Sequence, residues 1–204
     1  MKLIYRGGFN KHSPKSVGNS VIPTYDKFVE AFIKAGKKAA YVTLAKEDGD
    51  YESRFSQLQD RPVINWSNYQ EADWDAFDLL ILLGGYSPQL YKGLKESGFS
   101  LETLKKDAIV VGDSAGAYVL ASCFVERHDL GKKVEFLPGF NFQAKLITLG
   151  HVDNPVYVDE RLVSQVEGFA QRKGLSFLRL KENEERMLVD GKIIKFDRNE
   201  VFSL

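Results

Sequence analysis

Apolar positions along the chain switch between two spacings, and the switching predicts the order of elements. Short apolar runs at Lys2–Arg6, Ala39–Ala45, Pro62–Trp66, Asp78–Leu83 and Ala108–Val111 have the length and the glycine or polar borders of buried strands. Asp78–Leu83 is the extreme case, nearly all Leu and Ile, as a strand covered on both faces requires. Between these runs the spacing lengthens to three and four. Tyr25, Phe28, Val29, Phe32 and Ile33 predict a helix over Ile22–Ala35 closed by Gly36. The acidic segment Glu47–Tyr51 leads into a second predicted helix through Phe55 and Leu58. Others are expected near Gln89–Lys95 and over Leu101–Lys106. The aromatic series Trp66, Tyr69, Trp74 and Phe77 reads as satellite core.

After Ser114 an Ala-rich apolar run predicts a buried helix that takes in Cys123. The charged stretch Glu126–Phe136 follows, its run Glu126-Arg127-His128-Asp129 read as a solvated face, with a turn at Pro138-Gly139. Next come a strand over Lys145–Leu149, a helix over Val158–Lys173 capped by Gly174, and a strand over Leu175–Leu180. A hairpin closes the chain at Met187–Phe196, where Asp190-Gly191 suits a type I′ turn. Repeated strand–helix–strand order with a terminal hairpin indicates a doubly wound α/β domain with a mainly parallel sheet. At 204 residues, without repeat or linker, residues 1–204 read as a single domain large enough to need no metal or disulfide support.

The junction at Gly112-Asp113-Ser114-Ala115-Gly116 changes this from a fold to a candidate enzyme. A strand that turns directly into a helix through G-x-S-x-G is a nucleophile elbow, with the serine at its tip and glycines where a Cβ would obstruct strand–helix packing. Ser114 is therefore the candidate nucleophile. The positive end of the following helix, with the Ala115 N–H, is placed to meet an oxyanion, and the Gly84-Gly85 turn at the end of Asp78–Leu83 offers a second N–H from Gly85. That turn lacks both G-x-G-x-x-G and a G-K-[ST] ending, which argues against a nucleotide site.

A serine needs a base, and the chain has three histidines. His12 lies in a polar loop and His128 in a charged run, whereas His151 leaves the Lys145–Leu149 strand at the sheet edge that carries the elbow. His151 is the chosen base. An acid to orient it should come from the next strand end, where Glu182 is best placed and Glu184 and Glu185 are alternatives. The order serine, histidine, acid differs from the serine, acid, histidine order of α/β-hydrolases.

The strings Leu-Leu-Gly-Gly, Gly-Asp-Ser-Ala-Gly-Ala, Gly-His-Val-Asp-Asn-Pro and Leu-Lys-Glu, at these separations, resemble the serine peptidase family of the α-aspartyl dipeptidases (dipeptidase E) and cyanophycinases. The resemblance spans residues 75 to 192. It implies a flavodoxin-like, class I glutamine amidotransferase-like sheet, with Ser114 as nucleophile, His151 as base, Glu182 as third member and Gly85 as oxyanion donor. The chain departs from the family at Tyr86-Ser87, where a Gly-Asn is common, and at Asp113, where the dipeptidases carry tryptophan. Tyr86, Asp113 and Arg161 are the candidate substrate-binding residues; an Asp113 facing the pocket would repel a substrate carboxylate.

Charge and composition narrow the rest. The 28 basic and 28 acidic residues cancel, which gives no electrostatic reason for nucleic acid or an anionic membrane as partner. The N-terminal Met-Lys-Leu-Ile-Tyr-Arg-Gly-Gly has too short an apolar run for a signal peptide and no apolar stretch approaches the length of a membrane span, so a cytoplasmic protein is expected. The single cysteine, Cys123, reads as a small buried hydrophobe. The expected activity is hydrolysis of small peptides, as a dipeptidase, with a small peptide as ligand, no cofactor, no metal, and a homodimer left open. The rivals are a non-catalytic ligand-binding or regulatory module of the same fold and an esterase or amidase using the same residues.

Overall fold

The computed structural model describes residues 1–9, 20–128, 133–142 and 145–202. Its main sheet is seven-stranded, in the order β11-β10-β1-β5-β4-β2-β3. Here β1 is Lys2–Arg6, β2 Ala39–Val42, β3 Val63–Ile64, β4 Leu79–Leu82, β5 Ile109–Asp113, β10 Glu185–Val189 and β11 Lys192–Lys195. The block from β1 to β3 is parallel, and β10 joins β1 antiparallel. The terminal hairpin turns at Asp190 and Gly191, both with left-handed φ, as a type I′ turn needs.

Strand alternation sorts the side chains into two cores. Leu80 and Leu82 of β4 join Leu3, Tyr5 and Val110 on one face, under α2 (Ser87–Glu96) and α3 (Ala115–Leu120). Leu79 and Ile81 join Ile4, Tyr41 and Val111 on the other, under α1 (Val21–Lys34). Trp66, Tyr69, Trp74 and Phe77 all pack on the first core.

A second sheet, β7-β6-β8-β9, was not anticipated. Its strands are β6 (Cys123–His128), β7 (Lys133–Pro138), β8 (Leu146–Leu149) and β9 (Ser176–Arg179). One face feeds Phe124, Leu146 and Leu178 into the main core. The other packs Val125, Ile147 and Leu149 against Leu162, Val166 and Ala170 of α4 (Glu160–Lys173), whose last turn ends at left-handed Gly174. Cys123 is buried as expected, but it opens β6 rather than extending α3, which ends at Leu120. The charged stretch after it contributes to two strands that pair antiparallel, β6 and β7, with His128 at the end of β6.

Two expected helices do not form. Glu47–Leu58 becomes turns and a 3₁₀ segment at Ser56–Asp60, because Gly49 is left-handed and the Asp48 carboxylate accepts the Trp66 N–H at 2.8 Å. Leu101–Lys106 is turns, because the Thr103 hydroxyl accepts the Ser100 N–H at 2.8 Å, offering the backbone a partner outside a helix. Tyr51, Phe55 and Leu58 are nonetheless buried in the α1-side core.

Candidate active site

Ser114 lies between β5 and α3 with φ 51° and ψ −107°, a conformation that costs a non-glycine residue about 1–3 kcal/mol. The surroundings hold it there. The Ser114 N–H donates to the Arg6 carbonyl at 2.9 Å, and a Cβ on Gly116 would come within 2.3 Å of the Leu82 carbonyl oxygen, so only glycine lets α3 cross β4 this closely. Because α3 is six residues long, its contribution is its first free amides rather than the long helix dipole expected. The N–H groups of Ala115 and Gly85 make no hydrogen bond to another described residue. Gly85 lines the same cavity as Ser114.

His151 follows β8 and thus comes from the second sheet rather than from the sheet that carries the elbow. The two sheets meet where the His151 N–H donates to the Gly7 carbonyl at 3.0 Å, just beyond β1. Tyr118 of α3 supports the preceding residue: its hydroxyl accepts the Gly150 N–H at 3.0 Å and donates to the Gly150 carbonyl at 3.4 Å. Gly8, at φ 87°, backs directly onto the pair, since a Cβ there would sit 2.2 Å from His151 Nε2 and 3.0 Å from Ser114 Cβ. The Ser114 hydroxyl and His151 Nε2 are 3.1 Å apart.

His151 Nδ1 lies 3.1 Å from Glu182 Oε1. An ionised carboxylate only accepts, so Nδ1 carries the imidazole proton and Nε2 is left as the acceptor facing Ser114. Glu182 is itself held. The Asn154 amide donates to the same oxygen at 2.6 Å, and the Glu182 N–H donates to Asp153 at 2.8 Å. The Tyr157 ring rests on the imidazole at 4.6 Å. Burial, followed by the Glu182 charge, raises the Tyr157 hydroxyl above its ordinary range, so it stays a donor.

The other two acids of this loop turn elsewhere. Glu184 accepts the Lys181 N–H at 2.8 Å and pairs with Arg186. Glu185 accepts from Tyr25 at 3.1 Å and from Arg198 at 2.8 Å. Asp113 is 2 % exposed and accepts from the Arg6 guanidinium at 2.5 Å, while the same guanidinium reaches the Asn183 amide oxygen at 2.5 Å.

A cavity of about 670 Å³ opens over Ser114 and His151, within the usual range for small-ligand sites. Tyr86, half exposed, and Asp113 line it; Arg161, exposed on α4, does not. His12 lies outside the described residues. Sequence reasoning missed Gly8, Tyr118, Asp153, Asn154 and Tyr157. Asp153 and Asn154 sit within the Gly-His-Val-Asp-Asn-Pro string, which was their only signal. Among the described residues no group of His, Cys, Asp and Glu is arranged to hold a metal ion, and no helix is long and apolar enough to cross a membrane.

No protein-family model and no curated protein matches the chain. Solved structures do. A proposed peptidase E from Listeria monocytogenes EGD-e aligns with a TM-score of 0.57 at 15 % identity, over 95 % of this chain and 96 % of its own. A peptidase from an acI-B1 Actinobacterium aligns with a TM-score of 0.51 at 15 % identity, over 92 % of this chain and 82 % of its own. At this identity the likeness is one of fold: the mixed α/β architecture expected from the sequence, now with a second sheet.

Proposed function

We propose that this chain is a serine hydrolase that cleaves the peptide bond of small peptides, acting as a dipeptidase through Ser114, His151 and Glu182. The observation that carries the reading is the unbroken line from Ser114 Oγ to His151 Nε2 and from His151 Nδ1 to Glu182, each contact 3.1 Å, with the serine on a strained elbow. The peptidase neighbours in fold are consistent with it.

As Ser114 Oγ attacks the scissile carbonyl carbon, its proton passes to His151 Nε2, and Glu182 stabilises the imidazolium. The carbonyl oxygen, now an oxyanion, takes the free N–H groups of Gly85 and Ala115; each such donor is worth about 10²–10³ in rate. The imidazolium gives its proton to the leaving nitrogen, the C–N bond breaks, and the acyl group stays on Ser114. Water then loses a proton to His151 as it attacks the acyl carbon, and expulsion of Ser114 Oγ, reprotonated by His151, releases the acid. No step calls for a metal or cofactor.

The test is labelling by a fluorophosphonate combined with a dipeptide panel. Wild-type protein is expected to be labelled at Ser114 and to turn over at least one dipeptide. Ser114→Ala should lose labelling and about 10⁴–10⁶ of the rate while melting at an unchanged or slightly higher temperature, because alanine removes only the hydroxyl. A folded wild-type protein that ignores both the probe and every peptide would overturn the proposal.

A further inference from the structure

The cavity over Ser114 has two apolar walls, drawn from different cores. Val21, Ile22 and Phe55 come from the α1-side core, and Val125, Val158 and Leu162 from the core between the second sheet and α4. The reaction above uses neither wall. Gly85 adjoins the first: the next residue, Tyr86, donates its N–H to the Ala45 carbonyl at 2.9 Å, and Lys46 and Phe55 line the cavity beyond. His151 adjoins the second, because the Tyr157 ring rests on the imidazole and Val158 is the next residue. The oxyanion side and the base side of Ser114 therefore face different apolar surfaces.

The wall beside His151 is a product of the second sheet. Strand β6 runs parallel to β8, in register at Cys123 and Ile147, and pairs with β7 from Cys123 to His128. Since β8 ends at Leu149 and β6 continues to His128, the β6–β7 pair stands beyond the edge from which His151 emerges. From the other side, the Asn154 N–H donates to the His151 carbonyl at 2.9 Å, and the Asn154 carbonyl accepts the Tyr157 and Val158 N–H groups at 3.0 Å. This turn leads the chain from the imidazole straight into α4. The wall is packed without being sealed: Val125, Val158 and Leu162 line the cavity with 7, 6 and 4 % exposure, and Tyr157 is half-buried. Glu126 lines the cavity from the opposite face of β6 to Val125.

In the proposed cleavage the leaving nitrogen takes its proton from His151 Nε2, so the leaving residue stands on the imidazole side. We infer that Val125, Tyr157, Val158 and Leu162 form a subsite for the side chain of that residue, and that the preferred substrates are dipeptides whose C-terminal residue is aliphatic or aromatic. The inference rests on the hydrolase reading for which end of the peptide meets this wall. An apolar side chain there frees water from methyl and ring surface. A polar one would exchange its hydration for the same carbon surface, which costs affinity.

Isothermal titration on Ser114→Ala protein reads the subsite without turnover. Gly-Leu and Gly-Asn present leaving side chains of nearly the same shape, and Gly-Leu should bind about 10- to 150-fold more tightly, the range for burying one aliphatic side chain. Val125→Thr and Val158→Thr, each exchanging a methyl for a hydroxyl, are expected to cut that ratio several-fold, whereas Val21→Thr on the opposite wall should leave it unchanged. The reversed peptides, Leu-Gly and Asn-Gly, give the direction, since the Val125 and Val158 substitutions should not alter their ratio. Equal affinities for Gly-Leu and Gly-Asn, no binding of either, a ratio that survives both substitutions, or a loss confined to the reversed pair would overturn the inference. Fluorophosphonate labelling of wild-type Ser114 reports separately on the hydrolase reading. Labelling with equal affinities would keep the hydrolase and remove the subsite; the expected ratio without labelling would keep an apolar binding wall and remove the hydrolase.

Discussion

Two polar networks lie side by side at the strand ends and draw on neighbouring residues. Ser114, His151, Glu182 and Asn154 form a line that opens into the cavity. Arg6, Asp113, Asn183 and Glu185 form a cluster that is almost wholly enclosed, with Arg6 1 % and Asp113 2 % exposed. Residues 113 and 114 are adjacent, as are 182 and 183, yet each pair divides between the networks. The elbow makes the division at the end of β5, where Asp113 closes the strand and Ser114 leaves it at φ 51°. Left-handed Asn183, at φ 62°, does the same for the loop after β9. The open line keeps unused acceptor capacity and a strained serine; the closed cluster uses its groups on one another. One keeps the groups that the proposed reaction needs, the other joins the strand ends beside them.

The largest effect should come from exchanging the two carboxylates in this comparison. Glu182→Gln leaves the shape of the line but can present an amide N–H₂ to Nδ1, favouring the wrong imidazole tautomer, and is expected to lower kcat about 10²–10⁴-fold with little change in melting temperature. Glu185→Gln should do the reverse, because it weakens the contacts to Tyr25, Arg198 and Arg6 and leaves the line intact. Steady-state kinetics and thermal melting on both variants would decide it. Equal rate losses would remove the distinction between a reactive and a structural acid.

Breaking the closed cluster is the second test. Arg6→Met strands Asp113 in the interior without a counter-charge, which costs about 3–5 kcal/mol. For a domain of this size that is about 10 °C in melting temperature. Arg6→Met combined with Asp113→Leu should recover most of it, since replacing both partners removes the uncompensated charge. A single variant that melts like wild type would mean the ion pair fixes nothing.

These networks also mark how far the sequence could be read. The elbow was legible because it is local: five consecutive residues encode strand, bend and helix. The Leu79–Leu82 strand and the Asp190-Gly191 hairpin were legible for the same reason, one through continuous apolarity and the other through turn chemistry. Glu182 could be chosen over Glu184 and Glu185 only by position at a strand end; the geometry that separates them depends on left-handed Asn183, which no pattern announced. The Arg6–Asp113 pair joins residues 107 apart, and nothing in Lys2–Arg6 distinguished a buried arginine from a strand-end one. The second sheet was hidden twice over. The apolar run after Ser114 reads as one helix although the chain leaves it at Leu120, and β6 and β7 carry charges that mask a hairpin.

The smallest predicted effect concerns Tyr118, which ties the reactive line to the fold. Its hydroxyl is the partner of the Gly150 N–H, and Gly150 precedes His151. Tyr118→Phe leaves that N–H without its acceptor, at a cost of about 1–2 kcal/mol, and loosens the seat of the imidazole, so kcat should fall several-fold with KM changed less. A pH readout isolates the hydroxyl from the ring. Burial pushes the Tyr118 hydroxyl up to about 12, above the ordinary value of 10.0 it regains on unfolding. The native state therefore holds this proton more tightly than the unfolded chain does. Its contribution to stability is complete below pH 10 and is lost as pH climbs through about 12. The phenylalanine variant has no such proton to lose, while other buried tyrosines titrate alike in both proteins. The stability gap between wild type and Tyr118→Phe, measured by denaturant midpoints at pH 8 and pH 11, should narrow at the higher pH. A gap that stays constant would show that the hydroxyl is not enclosed as the structure has it, and an unchanged kcat in Tyr118→Phe would show that His151 is positioned by the Gly7 carbonyl and Glu182 without help from α3.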